Sequence, residues 1–245
     1  MKLFLSIILS FNLSTAIAAV TKTYWGEEVQ VGNGHAQSYV KMQHGKPLEI
    51  GVAVTAKGLV NLPAHEMKEH ILPLPAEVRV SPYKHITFDW NPHGHEPDGV
   101  YDRPHFDIHF YFITNVERQA ITCADADAAI CMQALLPEYI VSDYAPTPAG
   151  VPKMGWHWVD LLSPEFNGGI FTRTLIYGYY AGKPTFIEPM VTLEYLQSKE
   201  KSILGIRRPT AFPYPDGYFP REYRVEYDKK HKLHKIVLRR FSQQD

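Results

Sequence analysis

The chain has 245 residues with 25 basic and 26 acidic side chains, so its formal net charge is −1 at pH 7. This balance disfavours nucleic acid and anionic membranes as partners. Histidine, tyrosine, phenylalanine and proline are abundant, at 12, 15, 12 and 19 residues, and many aromatic residues together with many prolines are typical of β-rich, loop-rich proteins.

Residues 1–19 have the pattern of a secretory signal peptide. Lys2 precedes an apolar run, which ends on the small residues Ala16-Ile17-Ala18-Ala19, and this ending is typical of a cleavage site. The apolar core is about a dozen residues long, whereas a membrane-spanning helix needs roughly 20. We therefore predict export to the periplasm or the medium, with no membrane span after cleavage.

The first half of the chain predicts strands around one helix. The elements are an arm or edge strand at 20–34, a hairpin at 38–54, a helix within 59–72, a strand region at 78–90 and a strand at 105–112. The hairpin is centred on His44-Gly45-Lys46-Pro47. Residues 105–112 alternate between polar and apolar side chains, which makes them the clearest strand of the chain.

The second half predicts two more hairpins. The elements are a helix-permissive stretch at 118–137, a connection rich in proline and glycine at 138–169, a hairpin at 170–190, a short helix near 191–198 and a hairpin at 223–238. The fold class is therefore mainly β, either a β-sandwich or barrel-like sheets, with a few short helices. We expect one domain over residues 20–245.

Two of the hairpins resemble each other at a constant offset. Gly45-Lys46-Pro47 aligns with Gly182-Lys183-Pro184, and Ile50 aligns with Ile187. One hypothesis is an ancient duplication with halves at about 35–115 and 170–240. The alternative is that Gly-Lys-Pro is simply favourable turn chemistry.

The two cysteines, Cys123 and Cys131, predict a local disulfide if the chain is exported to an oxidising compartment. A metal-binding or redox pair is the alternative, but this spacing matches no thiol metal motif. Because the loop between the cysteines is short, the bond is expected to fix a surface segment.

Candidate site residues cluster at 93–109. His105, Asp107 and His109 lie two apart on the predicted strand and so share one face. His105 and His109 are about 13 Å apart along an extended strand, so both can bind one ion only if the strand kinks. His93 and His95 lie on the preceding loop, which can fold back over the strand.

Two distant residues could complete a metal site, namely His157 between two tryptophans and Glu188 at a hairpin end. Histidines and a carboxylate with an open position suit Zn²⁺, and the same donors accept Mn²⁺, Fe²⁺ or Cu²⁺. Asp107 is expected to orient a ligating imidazole. The alternative is a hydrogen-bonded His/Asp network without metal.

Several motifs of the chain occur together in a fixed order. They are Gly94-His95-Glu96-Pro97, Tyr101, Pro104-His105-Phe106-Asp107-x-His109-Phe110-Tyr111, Met154-Gly155-x-His157-Trp158, Tyr177-Gly178 and Phe186-x-Glu188-Pro189-Met190. This set resembles a family of exported bacterial proteins of unknown function, which has a thermophile member controlled by an extracytoplasmic stress sigma factor. The resemblance covers roughly residues 35–200 and does not include His93. It implies an exported, mainly β domain with a metal centre, and no particular activity.

The leading functional hypothesis is an exported metal-binding protein of uncharacterised activity. If it is an enzyme, the metal would activate water for hydrolysis or hydration of a small molecule, with Glu188 or Asp107 as the residue that moves the proton. The alternatives are a non-enzymatic envelope-stress or metal-sequestering protein, which could form a symmetric homo-oligomer, and a ligand-binding module.

Overall fold

The computed structural model describes residues 20–243, and the predicted signal peptide at 1–19 lies outside them. Strands take up 46% of the chain and helical segments 12%, which confirms the mainly β fold class. Over the described range, no helix has the length and apolar character needed to cross a membrane.

The described chain begins with strands and then alternates strands with short helices. The first elements are β1 (Thr21–Trp25), β2 (Val29–Val31), β3 (Gly34–Gln43), β4 (Lys46–Thr55), β5 (Ile71–Pro73), β6 (His85–Asn91), β7 (His105–Tyr111), α1 (Asn115–Gln119) and α2 (Ala126–Cys131). The following elements are β8 (Tyr144–Val151), β9 (Gly155–Asp160), β10 (Arg173–Tyr180), β11 (Lys183–Thr192), α3 (Leu193–Ser198), β12 (Ser202–Gly205), β13 (Tyr218–Phe219), β14 (Glu222–Asp228), β15 (Leu233–Arg239) and β16 (Ser242–Gln243).

The strands form two large antiparallel sheets and one small sheet. The first sheet has the order β1-β3-β4-β15-β14-β12, with β2 also paired to β3. The second sheet has the order β5-β6-β7-β11-β10-β9-β8, and β13 pairs with β16. Neither large sheet closes on itself, so the structure selects the sandwich rather than the barrel-like alternative.

The two large sheets share one hydrophobic core. Side chains alternate along each strand, so every second residue faces the other sheet. Val52 and Ile236 from the first sheet belong to the same buried cluster as Phe88, Ile108 and Ile187 from the second. The opposite face of the second sheet is therefore free to carry polar side chains.

The three predicted hairpins form as β3–β4, β10–β11 and β14–β15. The predicted helix within 59–72 is wrong, since this stretch holds the end of a 3₁₀ turn at Ala56–Leu59 and then strand β5. Tertiary pairing overrides the helical spacing, because Leu72 is fully buried and lies opposite Ile86 on β6.

Residues 138–169, predicted as a connection, contain strands β8 and β9. Proline normally disfavours strands, but Pro146 and Pro148 lie on β8, at the edge of the second sheet. An edge strand has one side without ladder hydrogen bonds, so it tolerates residues that lack an N–H.

The β3–β4 and β10–β11 hairpins turn through the same backbone conformation. Their turn residues have φ values of 49° and 74° at His44 and Gly45, and of 51° and 73° at Ala181 and Gly182. Each hairpin lies beside the strand pair that comes from the other half of the chain, β15–β14 or β7–β6. The duplication stays a prediction, and these common features are what it would explain.

Cys123 and Cys131 form the predicted disulfide. The bond packs against Gly150 on β8, where a Cβ atom would lie only 2.2 Å from Cys131 Sγ. A larger residue at position 150 would collide with the sulfur, so the glycine allows close contact between the α2 segment and β8. The disulfide thus supports one edge of the second sheet.

His234 on β15 predicts a loss of stability in acid. Its side chain is buried beside the Tyr227 ring, and burial, assisted by the positive charge of Lys199, lowers the pKa of His234 to about 4. The unfolded chain takes up a proton near pH 6.5 while the folded chain does not, so stability falls from pH 6.5 towards pH 4.

We expect His234→Phe to reduce this acid sensitivity. The measurement is the thermal unfolding midpoint at pH 7 and pH 4.5, with the exposed His44 replaced by asparagine as the control. An equal fall of the midpoint in the parent protein and in His234→Phe would contradict the prediction.

Candidate metal centre

The candidate site lies on the face of the second sheet that points away from the core. β6 and β7 are buried along their whole length, although every second residue along each strand is polar, and these polar side chains lie on this face. Cross-strand pairing places Thr87 opposite His109, Asp89 opposite Asp107 and Asn91 opposite His105. The structure places this face in a covered cavity.

The loop between β6 and β7 folds back over the strand and supplies His95. Gly94 makes the turn possible, because its φ is +76° and a Cβ atom there would lie 2.0 Å from the Tyr101 carbonyl oxygen. An isolated bridge between His95 and Tyr101 closes the loop. The imidazole of His95 consequently reaches Asp107 on β7.

His95, His105 and Asp107 form the first ligand group. His105 Nε2 lies 2.9 Å from Asp107 Oδ1, and His95 Nε2 lies 3.3 Å from Asp107 Oδ2. Donor atoms that share one tetrahedral ion at about 2.0–2.1 Å lie about 3.3 Å from one another. These separations therefore suit a common ion.

His109, His157 and Glu188 form the second ligand group. Glu188 Oε2 lies 3.4 Å from His109 Nε2 and 3.6 Å from His157 Nε2. Glu188 lies on β11 next to β7, and His157 reaches the group from β9, which pairs with β10 at Gly178. Residues far apart in the chain thus meet because β7, β11, β10 and β9 are consecutive in the sheet, and β10 has only Gly178 at the position between His157 and Phe186.

The facing ring nitrogens and carboxylate oxygens are not used in hydrogen bonds. His105 Nε2, Asp107 Oδ1, His109 Nε2 and Glu188 Oε2 are buried without a hydrogen-bond partner. Buried polar atoms normally have a partner. When the ring proton is on Nδ1, each Nε2 is an acceptor like the carboxylate oxygens, and acceptor atoms that face one another are the arrangement expected around a shared cation.

The opposite nitrogen of three rings is held by a neighbour. His105 Nδ1 lies 2.6 Å from the Arg103 carbonyl oxygen, and His95 Nδ1 lies 2.8 Å from that of Glu96. His109 Nδ1 lies 3.1 Å from Asp89 Oδ2. Each Nδ1 is therefore placed to donate a proton, and in this tautomer the Nε2 lone pair would be free to bind a metal. In the metal-free protein, His95 Nε2 also carries a proton and faces Asp107 Oδ2.

Two further polar residues of β6 orient the carboxylates. Thr87 donates its hydroxyl proton to Asp89 Oδ2 at 2.7 Å, and the Asn91 amide donates to Asp107 Oδ2 at 2.7 Å. These contacts fix Asp89 against His109 and Asp107 against the first ligand group. Such outer contacts set the geometry and basicity of metal ligands.

The first ligand group is charged in the metal-free protein. Burial opposes ionisation of Asp107, but His105 and His95 hold the pKa of its carboxyl well below the ordinary value. Burial lowers the pKa of His95, and the Asp107 carboxylate more than compensates and raises it to about 9. Near neutral pH this group is an ion pair.

Burial disfavours charge on two residues of the second ligand group. Burial, with the charges of Asp107 and Asp89, raises the pKa of Glu188 well above its ordinary value. Burial and the neighbouring His109 and His95 lower the pKa of His157 to about 3. A metal ion at this group would favour the carboxylate form of Glu188 and bind the neutral imidazole of His157.

Both groups face one cavity of about 600 Å³. His95 and Asp107 from the first group line it, as do His157 and Glu188 from the second. Its remaining wall comes from the β6–β7 loop, from Met67 and from the segment around β8 and β9. A ligand in this cavity would reach both groups at once.

The structure brings together five of the six residues predicted to bind metal, and it divides them between two groups. His105 and His109 belong to different groups, as their separation along the strand requires. Asp107, expected to orient a ligand, lies among the ligand atoms. His93 is exposed and stacks near His65, outside both groups.

Sequence reasoning missed Thr87, Asp89 and Asn91. Their signal was present, because polar residues alternate with Phe88 and Trp90 in the predicted strand region 78–90. The same alternation identified His105, Asp107 and His109 on the next strand. Tyr101, which covers His95 and lines the cavity, was also not assigned a role.

The fold and the site together define a β-sandwich with two buried His/Asp/Glu groups that could hold metal ions. A family model described as TTHB210-like, hypothetical protein TTHB210, matches residues 43–90. This segment runs from the β3–β4 turn through β6 and ends before the first candidate ligand. It supports a relationship to an uncharacterised family and does not test the longer motif pattern.

No curated protein and no solved structure matches the chain. These two comparisons therefore assign no chemistry to the site.

Gly178 allows an aromatic ring to pack against both histidines of the second group. Phe186 is fully buried, and its ring centroid lies 4.8 Å from that of His109 and 5.3 Å from that of His157. A Cβ atom at position 178 would lie 1.9 Å from the Phe186 ring. The ring can occupy this place only because position 178 has no side chain.

We expect Gly178→Ala to displace the Phe186 ring and to lower the free energy of unfolding by about 1–3 kcal/mol, as overpacking of a core does. The measurement is denaturant unfolding. Gly205→Ala on β12 is the matched control, because no heavy atom lies within 4 Å of its added Cβ. Equal effects of the two substitutions would contradict this packing argument.

Proposed function

We propose that the protein binds two divalent transition-metal ions, one in each ligand group, and uses them to hydrolyse or hydrate a small molecule. The single observation that supports this most strongly is the set of buried, close and unpartnered ligand atoms. Burial of such atoms is unfavourable unless a further group compensates them. A cation compensates both lone pairs and carboxylate charge.

The donor set fits the proposed ions. Each group supplies two imidazoles and one carboxylate, which is three protein ligands, and an open fourth position is typical of a catalytic Zn²⁺ site. The same donors accept Mn²⁺, Fe²⁺ or Cu²⁺. Zn²⁺ is our first expectation for the bound metal.

An ion bound at this position supplies a Lewis acid and lowers the pKa of water. Glu188 is suited to move the proton, because only its Oε2 lies near the two imidazoles of its group. Its Oε1 is left to accept a proton from a reacting water and return it to the product. Asp107 is less suited, since both of its oxygens have close neighbours.

Export is part of the proposal. The predicted signal peptide and the Cys123–Cys131 disulfide support an oxidising compartment outside the cytoplasm. Metal would then be acquired during or after translocation.

Metal storage is the second candidate function. His105 and His109 are fully buried, and deep burial would slow exchange of a bound ion. Replacement of the bound metal with Co²⁺ distinguishes storage from hydrolysis, because the absorption spectrum of Co²⁺ reports its coordination number. An exchangeable fourth ligand supports hydrolysis, whereas saturation by protein atoms supports storage.

We expect two ions per chain after repletion with Zn²⁺, measured by elemental analysis. His105→Ala should remove one ion, and His109→Ala should remove the other. His157→Ala should remove the same ion as His109→Ala, so their combination loses no more than either alone. His93→Ala is the control and should keep both ions.

Absence of bound metal in the repleted parent protein would overturn the proposal. If every single substitution at a ligand removed both ions, the two ions would form one joint centre, and the assignment of one ion to each group would be wrong. Hydrolysis is tested on the same preparations with p-nitrophenyl acetate, and activity that survives removal of the metal would contradict metal dependence.

Asp89→Asn should weaken the second group without removing a ligand. The carboxylate holds the Nδ1 proton of His109, and loss of such a contact typically lowers metal affinity 10–100-fold. Competition with a chromophoric chelator measures the affinity. The ion of the first group should keep its affinity and serves as the internal control, and an unchanged second-group affinity would refute the assigned role of Asp89.

A further inference from the structure

The walls of the 600 Å³ cavity are largely apolar. Its size lies within the range of small-molecule sites, about 300–1,000 Å³. Most of its wall away from the ligand groups consists of prolines, aliphatic side chains and thioethers, including Pro97, Pro148, Val159, Ile176, Met67 and Met154. Such a wall binds hydrocarbon surface.

The part of the cavity wall that lies away from the ligand groups has no basic side chain to receive an anion. Apart from Tyr101, the ionisable lining residues are the acids Glu96, Asp107 and Glu188 and the imidazoles of His95 and His157. No lysine or arginine is among the described residues that line the cavity. An anionic group held against the apolar wall, away from the proposed metal ions, would lose its hydration without gaining an ammonium or guanidinium partner, which is unfavourable.

One polar group in the wall has no partner within the described chain. Tyr101 is 1% exposed, and its hydroxyl is buried without a hydrogen bond. Its ring is held by Phe171 at 5.0 Å and Phe166 at 6.1 Å between ring centroids. A phenol hydroxyl donates a hydrogen bond at neutral pH, so a ligand acceptor would satisfy it.

We infer that the cavity binds an uncharged, largely apolar small molecule that carries a hydrogen-bond acceptor such as a carbonyl oxygen, which Tyr101 recognises. This inference names the substrate class of the metal-dependent reaction proposed above and rests on that proposal. An ester or amide of an apolar acid has the required chemistry.

Three fluorescent naphthalenes of similar size test the inference on metal-loaded protein. Prodan is neutral and carries a ketone, N-phenyl-1-naphthylamine is neutral without a carbonyl, and 8-anilinonaphthalene-1-sulfonate is anionic. We expect one Prodan molecule to bind per chain, at least 10-fold more tightly than the sulfonate. Equal or tighter binding of the sulfonate would overturn the inference.

Tyr101→Phe keeps the ring and removes only the hydroxyl. We expect it to weaken Prodan binding about 5–10-fold, as loss of one hydrogen bond does, and to leave N-phenyl-1-naphthylamine unaffected. Tyr83→Phe is the matched control, because Tyr83 also has a buried hydroxyl without a partner but does not line the cavity. Equal effects of the two substitutions would refute recognition by Tyr101.

Val151→Trp locates the bound probe. Val151 is 40% exposed on the edge strand β8 and lines the cavity, so the larger ring can fill the space with little cost to folding. Prodan binding should be lost, and Ala149→Trp at a neighbouring lining position should act in the same way. Prodan binding that survives both substitutions would place the site elsewhere.

Metal content, measured on the same samples, separates this inference from the proposed function. Protein that holds metal but discriminates against Prodan contradicts the ligand class alone. Protein that holds no metal but binds Prodan with the expected pattern contradicts the metal-dependent reaction, and the ligand class stands.

Discussion

Burial of ionisable groups away from water is unfavourable unless other groups or an ion compensate their charge. The outer face of β6, β7 and β11 carries such groups at Asp89, His105, Asp107, His109 and Glu188, and each of these residues is at most 4% exposed. The architecture on this side of the second sheet accommodates them. The β6–β7 loop supplies His95, and β9 supplies His157.

The first sheet shows what the same strand arrangement does without this constraint. β15 lies between β4 and β14 as β7 lies between β11 and β6. Its outward side chains include Val237, which packs with Tyr39 and Ala53 in a small apolar cluster. Nearby, Arg224 pairs with Glu49 and Glu226. Opposite charges are balanced there within the protein, whereas the second sheet leaves ligand atoms unpartnered.

Local patterns predicted those parts of the site that depend on a single strand. Alternation along 105–112 placed His105, Asp107 and His109 on one face, because the strand period is a property of the backbone. Turn residues predicted the hairpins for the same reason. The separation of His105 and His109 along the strand indicated that both could bind one ion only if the strand kinked, and a division into two groups was not predicted.

Pairing between distant strands was beyond the reach of those patterns. The contact of Glu188 with His109 depends on β11 lying beside β7. The contact of Glu188 with His157 on β9 depends on the intervening strand β10, where Gly178 leaves room for the Phe186 ring. The prediction of a helix within residues 59–72 was wrong for the opposite reason. The helical spacing is a property of the segment alone, whereas the pairing of β5 with β6 determines its structure. Asp89 was not predicted as a site residue, because its role is the contact with His109 on the neighbouring strand.

The disulfide supports one wall of the cavity from its outer side. Cys131 Sγ packs against Gly150, and Gly150 lines the cavity together with Thr147 and Val151. Reduction would release the segment that supports this wall, so thiol oxidation and ligand binding are linked equilibria. Thermodynamic reciprocity then applies: a ligand that binds the oxidised form more tightly also lowers the reduction potential of the Cys123–Cys131 bond by the equivalent free energy.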